Sequence, residues 1–214
     1  MSQLKLFGYW RSSASWRVRW ALHIKNIEFE YLPVNLRTGE QNQPSFSSLN
    51  PMKSLPFLQI SDSESLGQSL AILQWIEAQQ PNPPLFPQSP FLKAKCLELC
   101  EIINSDTAPL QIPRIQKRHS DAPTEQLNWT QEHIRRGLHG FNEISASYRG
   151  KYSFGDNVSA SDLFLCPQIY NALRYEISVG NEFPYLFEIY QRCLETESGS
   201  FSRPENQLDS IGSN

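Results

Sequence analysis

The sequence lacks the features that would direct it to a membrane or a nucleic acid. No apolar run approaches the roughly 20 residues that a membrane-spanning helix needs. The formal net charge of −3 excludes a broad basic surface for nucleic acids or anionic lipids. The first residues begin directly in a strand-like pattern, without the layout of a secretory signal peptide. We therefore expect a cytoplasmic protein that binds neither nucleic acid nor membrane.

Cysteine is scarce and is not arranged for metal binding. The four cysteines, Cys96, Cys100, Cys166 and Cys193, form no CxxC pair. Without a secretory signal, buried free thiols are expected rather than disulfides, and no metal is expected. A glutaredoxin-type oxidoreductase needs a cysteine at its first helix, and the first cysteine here is Cys96. That function class is therefore excluded.

The first eighty residues alternate between strand-like and helical patterns. Alternating apolar residues mark the strands, and apolar residues at three- and four-residue spacing mark the helices. The resulting order, βαβ-α-ββ-α, is typical of a small mixed sheet flanked by helices. The expected strands cover residues 4–9, 28–34, 55–60 and 64–66, and the expected helices cover residues 12–25 and 69–79, with a short helix between 35 and 48.

A proline-rich segment separates this part of the chain from a helical one. Residues 81–90 contain five of the 15 prolines, which remove N–H donors and fix φ. We therefore expect one domain over residues 1–80, a linker over 81–90 and an all-helical domain over 91–214. Ser159 and Asp162 predict a capping box, and the tail from Glu197 is expected to be ordered only by docking. The expected helices of the second domain cover residues 91–105, 124–148, 159–176 and 185–195.

Ser12 and Ser13 lie where the first expected strand is followed by the first expected helix. Backbone N–H groups in the first turn of a helix lack partners within the helix, and the helix dipole favours negative charge there. The two hydroxyls therefore fit an anion site. Ordinary capping of the helix by either serine explains the same pattern.

Several segments resemble the zeta class of the cytosolic glutathione transferases, and the resemblance covers almost the whole chain. Residues 9–19, YWRSSASWRVR, are similar to the class signature SSCxWRVRIAL, which is the most specific of the motifs. Residues 50–56, NPMKSLP, are similar to NPMxxVP. The resemblance implies an α/β thioredoxin-like N-terminal domain with a mixed four-stranded sheet, an all-α C-terminal domain that forms the substrate pocket, and a homodimer. Residues 68–72, 155–163 and 167–172 add to the likeness.

The resemblance also implies a donor for the thiolate of glutathione. Ser12 is the expected donor, and Ser13, beside it in the glutathione site, is the alternative donor. A capping role alone is the remaining alternative. Each unit by which a thiol pKa is lowered requires about 1.4 kcal/mol of preferential interaction with the charged form. A serine hydroxyl and the N–H groups of a helix N-terminus can supply such interaction.

Further glutathione contacts follow from the same resemblance. A cis bond between Leu55 and Pro56 would free the backbone of Leu55 to pair with a peptide-like ligand. Gln68 and Ser69 would hold the γ-glutamyl carboxylate at a helix N-terminus. The pattern also predicts that Ser69 caps this helix. Gln41 matches a family position that contacts the glycyl end.

Two arginines are candidates for binding a dicarboxylate substrate. Arg174 matches a family arginine that contacts a substrate carboxylate, and a surface arginine that favours the helix dipole is the alternative. Arg11 is the second candidate. Arg17 and Arg19 are expected to brace the fold through internal contacts.

The implied function is glutathione-dependent cis–trans isomerisation of maleylacetoacetate to fumarylacetoacetate. Addition of the thiolate to the conjugated double bond, rotation and elimination would return glutathione unchanged, so that glutathione is a cosubstrate. Isomerisation of maleylpyruvate, glutathione transfer or dehalogenation on small α-halo acids, and a non-catalytic glutathione-binding module are the alternatives.

Two departures from the family pattern affect the expected site. Ala14 stands where the class has a cysteine, which could alter how the substrate is positioned. Ala108 stands where the class often has a glutamine near glutathione, and residues 112–114 also lack polar atoms expected there. These changes bear on affinity and substrate identity more than on the class.

Overall fold

A computed structural model describes residues 3–210 of the chain. Its contacts divide the protein into two compact units. The first unit comprises the residues up to Pro84 together with those from Thr196 onward, and the second comprises Leu85–Glu195. The first unit therefore contains both ends of the described chain.

The first unit contains four strands, β1 (Leu4–Gly8), β2 (Phe29–Pro33), β3 (Phe57–Gln59) and β4 (Ser65–Gly67). They form one sheet in the order β2-β1-β3-β4. The first two strands are parallel, and β3 pairs antiparallel with both β1 and β4. A helix joins the parallel pair, as a parallel connection requires. The expected thioredoxin-like mixed sheet is confirmed.

Two long helices cover this sheet. Helix α1 (Ser13–Ile24) buries Trp16 and Trp20, and helix α3 (Ser69–Gln79) buries Ile72. Helix α3 has the predicted bounds. The remaining elements of the first unit are a 3-10 turn at Glu40–Asn42, α2 (Pro44–Ser47), α10 (Glu197–Ser202) and 3-10 turns at Pro204–Asn206 and Leu208–Ser210.

The C-terminal segment packs against α1. The Nε1 atom of Trp16 donates to the Ser202 hydroxyl at 3.0 Å, and that of Trp20 donates to the Ser198 hydroxyl at 3.1 Å. Buried indole N–H groups need an acceptor, so these two bonds hold α10 in place. The helical region expected over residues 91–214 is therefore divided. The residues from Thr196 onward group with the first unit and form elements of their own.

The proline-rich segment is held differently on its two sides. The carbonyl of Pro83 accepts a hydrogen bond from the buried ammonium of Lys25 at 2.5 Å within the first unit. The carbonyl of Leu85 accepts one from the Ala160 N–H at 2.8 Å within the second. The two units therefore meet in sequence inside the predicted linker.

The second unit is entirely helical. Ile134, Leu138 and Phe141 form a fully buried stripe along its longest helix, as the spacing predicts. Among residues 3–210, no helix combines the length and apolar character that crossing a bilayer requires. The helices are α4 (Pro90–Asn104), α5 (Pro113–His119), α6 (Pro123–Ser145), α7 (Ala160–Arg174), α8 (Val179–Glu182) and α9 (Pro184–Glu195), with a 3-10 turn at Ala108–Gln111.

The predicted capping box is present at the start of α7. The carboxylate of Asp162 accepts from the Ser159 N–H at 2.8 Å and from the Ser153 N–H at 2.9 Å, and it is fully buried. Burial raises the pKa of Asp162, while hydrogen bonds from Ser153 and Ser159 act in the opposite direction. This carboxylate therefore joins the loop before α7 to the helix itself.

Candidate functional site

The register of the sheet brings four chain segments of the first unit to one edge. Strands β1 and β2 are parallel and end together, with Gly8 opposite Pro33. Phe7, near the end of β1, lies opposite Phe57, where β3 begins. Phe57 in turn lies opposite Gly67, where β4 ends. The loops that leave β1, β2 and β4 and the loop that enters β3 are therefore neighbours.

The predicted glutathione residues belong to these four loops. Ser12 follows β1 and Gln41 follows β2. Leu55 and Pro56 directly precede β3, and the peptide bond between them is cis, as the resemblance implies. Gln68 follows β4 and adjoins Ser69, the first residue of α3. Residues that are far apart in sequence thus share one edge of the sheet.

Ser12 is the N-cap of α1 and retains a proton that can be donated. Its hydroxyl oxygen accepts from the Ser15 N–H at 3.2 Å, and its own N–H donates to the Tyr9 carbonyl at 2.9 Å. A cap uses a lone pair of the hydroxyl and leaves its O–H to donate elsewhere. The capping and thiolate-donor roles are therefore compatible. Ser13, also half-buried, is the first residue of the helix.

The start of α3 is arranged to hold an anion. The expected cap at Ser69 is wrong, because the N-cap is Gln68 and Ser69 is the first residue of the helix. Gln68 has φ of 66° and makes no side-chain capping bond, so its side chain does not occupy the first-turn N–H groups. The Ser69 hydroxyl accepts from the Arg17 guanidinium at 3.1 Å, and both side chains are buried. A guanidinium beside a helix N-terminus adds positive charge where a carboxylate is expected. Arg17, expected only to brace the fold, therefore contacts a predicted ligand residue.

Gln41 lies in the 3-10 turn that follows β2. Its Oε1 atom is buried and makes no hydrogen bond to the described residues. Buried polar atoms are usually paired, and a glutamine amide can rotate to present either its oxygen or its nitrogen. A polar ligand group would therefore satisfy this side chain. Phe46 anchors the neighbouring helix to the sheet, with its ring centroid 5.7 Å from that of Phe7.

The two candidate substrate arginines belong to different units. Arg11 lies in the turn before α1 and is half-buried, with its guanidinium 5.4 Å from the ring centroid of Trp10. Arg174 is the exposed last residue of α7 and donates to the Asn171 side chain at 3.2 Å. These two partners of the guanidinium groups, an indole ring and a side-chain amide, are both uncharged.

Sequence reasoning missed three features of the turn before Ser12. The hydroxyl of Tyr9 and the Nε1 atom of Trp10 are buried and make no hydrogen bonds to the described residues. The Trp10 N–H donates to the carboxylate of Asp209 at 2.9 Å, across 199 positions of the sequence. No local pattern near Asp209 signals this contact.

The second unit contains Ala108, one of the positions at which the chain departs from the family pattern. Ala108 begins a 3-10 turn, and Gln111 at the end of that turn donates to Gln168 at 2.6 Å in the buried interior.

All four cysteines are buried and free. Within residues 3–210 no group of three or more histidines, cysteines or acidic residues is arranged to hold a metal ion.

Comparisons with known proteins agree with the fold just described. Residues 2–78 match the family described as glutathione S-transferase, N-terminal domain. A maleylacetoacetate isomerase from Rattus norvegicus is 39% identical over 206 residues, which cover 95% of this chain and 94% of that protein.

Solved structures extend the likeness across both units. A maleylacetoacetate isomerase from Anaeromyxobacter dehalogenans 2CP-1, with GSH bound in its active site, gives a TM-score of 0.89 at 33% identity and covers 97% of this chain and 98% of that chain. A maleyl pyruvate isomerase, a bacterial glutathione S-transferase in the zeta class, gives a TM-score of 0.91 at 31% identity. The match covers 96% of this chain and 99% of that chain.

Proposed function

The chain belongs to the zeta class of the glutathione S-transferases, and on that premise we propose that it catalyses the glutathione-dependent cis–trans isomerisation of maleylacetoacetate to fumarylacetoacetate. The observation that carries the proposal is the hydrogen bonding of the Ser12 hydroxyl. Its hydroxyl caps α1 by accepting from Ser15, and its proton is left for a thiolate at the sheet edge where the other glutathione residues gather.

The residues at this edge fit the groups of the tripeptide. Gln68 and Ser69, with Arg17 behind them, offer positive potential for the γ-glutamyl carboxylate. Leu55 and Pro56 enter β3 at the same edge, where a short extended peptide can pair with the backbone. Gln41 offers its buried amide to the glycyl end.

Glutathione supplies the thiol group that adds to the conjugated double bond and later leaves it. The chain's part is to keep that thiol ionised and to hold the reactants in place. Ser12 donates to the sulfur, and Ser13 lies next to it at the positive end of α1. Arg11 is assigned to a substrate carboxylate, with Arg174 as the other candidate. A dicarboxylate is bound well only when its charges meet cations of this kind.

A rate assay on maleylacetone tests the proposal. We expect turnover to require glutathione and to exceed the rate of glutathione alone by at least about 100-fold, because two reactants are held together and the thiolate is stabilised. Stopped-flow absorbance with and without the protein measures this directly. Turnover that does not depend on glutathione would contradict the assignment.

Maleylpyruvate isomerisation is the second candidate, because the maleyl pyruvate isomerase described above matches the chain at a TM-score of 0.91. Both substrates carry a cis double bond between carbonyl groups and differ in the acyl chain. A comparison of kcat/KM for maleylacetone, maleylpyruvate and dichloroacetate separates the two isomerase assignments from a dehalogenase. Ala14→Cys, which restores the family cysteine, serves as the matched variant for substrate preference.

The proposal includes a homodimer in the cytoplasm. Met52, in the loop before β3, is 73% exposed, and Phe91, at the start of α4, is 63% exposed. Burial of such side chains against a partner chain would stabilise a dimer. The four buried free thiols fit a reducing compartment.

We expect Met52→Glu to weaken the dimer by at least tenfold, because a charge would have to be desolvated in the interface. Sedimentation velocity should show twice the chain mass of 24.6 kDa for the unmodified protein and a concentration-dependent monomer for the variant. Leu173→Glu, at an exposed leucine of α7, is the control. A monomeric unmodified protein would refute the dimer and leave the proposed chemistry standing.

A further inference from the structure

The turn that presents Ser12 is closed by one backbone bond. The Ser12 N–H donates to the Tyr9 carbonyl at 2.9 Å, which makes Trp10 and Arg11 the two central residues of a β-turn. Such a turn has few internal contacts, and its orientation relative to the sheet depends on what its remaining polar groups bond to. The placement of Ser12 is therefore sensitive to the partners of Trp10.

Both backbone polar groups of Trp10 are held by charged side chains. Its N–H donates to the Asp209 carboxylate at 2.9 Å, and its carbonyl accepts from the Arg19 guanidinium at 3.0 Å. The same guanidinium donates to the Tyr9 carbonyl at 3.4 Å. Hydrogen bonds to charged groups are stronger than those between neutral groups. The turn is thus clamped between a carboxylate and a guanidinium.

Arg19 and Asp209 belong to one electrostatic group with Tyr31. Arg19 is fully buried and lies 5.5 Å from the ring centroid of Tyr31, whose hydroxyl donates to Asp209 at 3.5 Å. Burial lowers the pKa of Arg19, and the charge of Asp209 acts in the opposite direction. The carboxylate therefore also compensates the buried guanidinium on the other side of the turn.

The end of β1 is shaped for this arrangement. A Cβ atom on Gly8 would lie 2.7 Å from Cε2 of Tyr31, so only glycine lets the tyrosine ring pack there without displacement. Arg19 also donates to the Ser202 carbonyl at 3.3 Å, which connects the group to α10. The C-terminal segment is therefore tied to the turn through both Arg19 and Asp209.

We propose that Asp209 is a positioning residue of the glutathione site, which holds the Trp10 peptide group so that Ser12 faces the sulfur. This inference rests on the proposed function. Asp209 bonds the backbone two residues before Ser12 and acts through that turn. A displacement of about 1 Å at a reacting group can cost about 100-fold in rate, so the loss of one of two clamps is expected to have a measurable part of that effect.

The primary test is Asp209→Ala, with the pKa of the bound glutathione thiol as the readout. We expect this pKa to rise by about one and kcat to fall by about tenfold. The acidic limb of the pH–rate profile should move to higher pH by about one pH unit, because the thiol ionises at higher pH. A loss of global stability alone would leave the thiol pKa of the folded protein unchanged. Thiolate absorbance in the ultraviolet, titrated against pH, measures it.

A second readout requires no glutathione. Hydrogen–deuterium exchange of the peptide that contains residues 9–12 should be faster in Asp209→Ala, because the Trp10 N–H loses its acceptor. Asp209→Asn keeps an acceptor oxygen and should recover most of the protection and of the thiol pKa. Asp209→Leu resembles aspartate in shape and lacks an acceptor, so it decides the question if the alanine variant does not fold.

Glu205→Ala is the matched control, since Glu205 carries an exposed carboxylate in the same segment and uses its backbone carbonyl to hold Ser210. Native thiol pKa and native exchange in Asp209→Ala or Asp209→Leu would overturn the positioning role. The proposed function fails separately, if the unmodified protein binds no glutathione or leaves its thiol pKa at the solution value.

Discussion

Replacing Ser12 by alanine is expected to lower kcat on maleylacetone by about 100-fold and to raise the pKa of the bound glutathione thiol by about one to two. The reason is the loss of one hydrogen bond to a charged sulfur, which is worth about 1.5–3 kcal/mol. Titration of the thiolate absorbance in the complex, together with steady-state rates over a range of pH, measures both effects.

The alanine variant also removes the cap of α1, so the two roles of Ser12 need to be separated. The hydroxyl accepts from the Ser15 N–H at 3.2 Å, and loss of such a cap costs about 1 kcal/mol of stability. Ser12→Gly keeps most of the capping free energy, because glycine is worse than serine at an N-cap by only a few tenths of a kcal/mol, about the precision of the measurement. It should therefore be nearly as stable as the native protein and as inactive as Ser12→Ala.

Ser12→Thr retains both the hydroxyl and the cap and should keep activity within about threefold. Ser13→Ala tests the neighbouring serine, which is the first residue of α1. If Ser13→Ala abolished the depressed thiol pKa and Ser12→Ala left it unchanged, the donor would be Ser13. If neither variant changed it, Ser12 would act only as the cap of α1 and Ser13 only as its first residue.

The helices and strands were predictable wherever a local pattern carries the information. Helix α3 has the predicted bounds of residues 69–79, because a continuous apolar face follows a capping position. Ser159 and Asp162 form the predicted capping box, since both partners lie within one turn. Periodicity and caps are short-range signals, so the bounds of these elements can be predicted from neighbouring residues.

The C-terminal segment was expected to be ordered only by docking, but the place where it docks was not predictable, for the opposite reason. Residues 197–210 have no periodic apolar face, and α10 is held instead by the indole N–H groups of Trp16 and Trp20. Those bonds join residues nearly the whole chain apart, which no pattern along the sequence reveals. Asp209 was missed for the same cause.

The residues of the candidate site show the same difference between local signals and long-range contacts. Ser12 was singled out because it lies where a strand is followed by a helix, which is a local feature, whereas Gln68 was implied by the family resemblance. Arg19 braces the turn before Ser12, as expected of an internal contact, through the carbonyls of Tyr9 and Trp10. The contact of Arg17 with the Ser69 hydroxyl at 3.1 Å depends on how α1 meets α3, and the sequence does not state that packing.

In the helical unit, replacing Asp162 by alanine is expected to lower the free energy of unfolding by about 3–5 kcal/mol. The side chain is fully buried, and its carboxylate accepts from the N–H groups of Ser153 and Ser159 and from the Ser159 hydroxyl, at 2.8–2.9 Å. Alanine would leave both N–H groups buried without acceptors, and each such group costs about 1–3 kcal/mol. The midpoint of urea unfolding followed by circular dichroism measures the change.

Glu125→Ala is the matched control, because Glu125 occupies the same third helical position in the first turn of α6 and is exposed. Its removal should change stability by no more than about 0.5 kcal/mol, since the interaction of an exposed carboxylate with the helix dipole is screened by solvent. A similarly small effect of Asp162→Ala would mean that the loop around Ser153 finds other acceptors, and the carboxylate would then be dispensable to the join between that loop and α7.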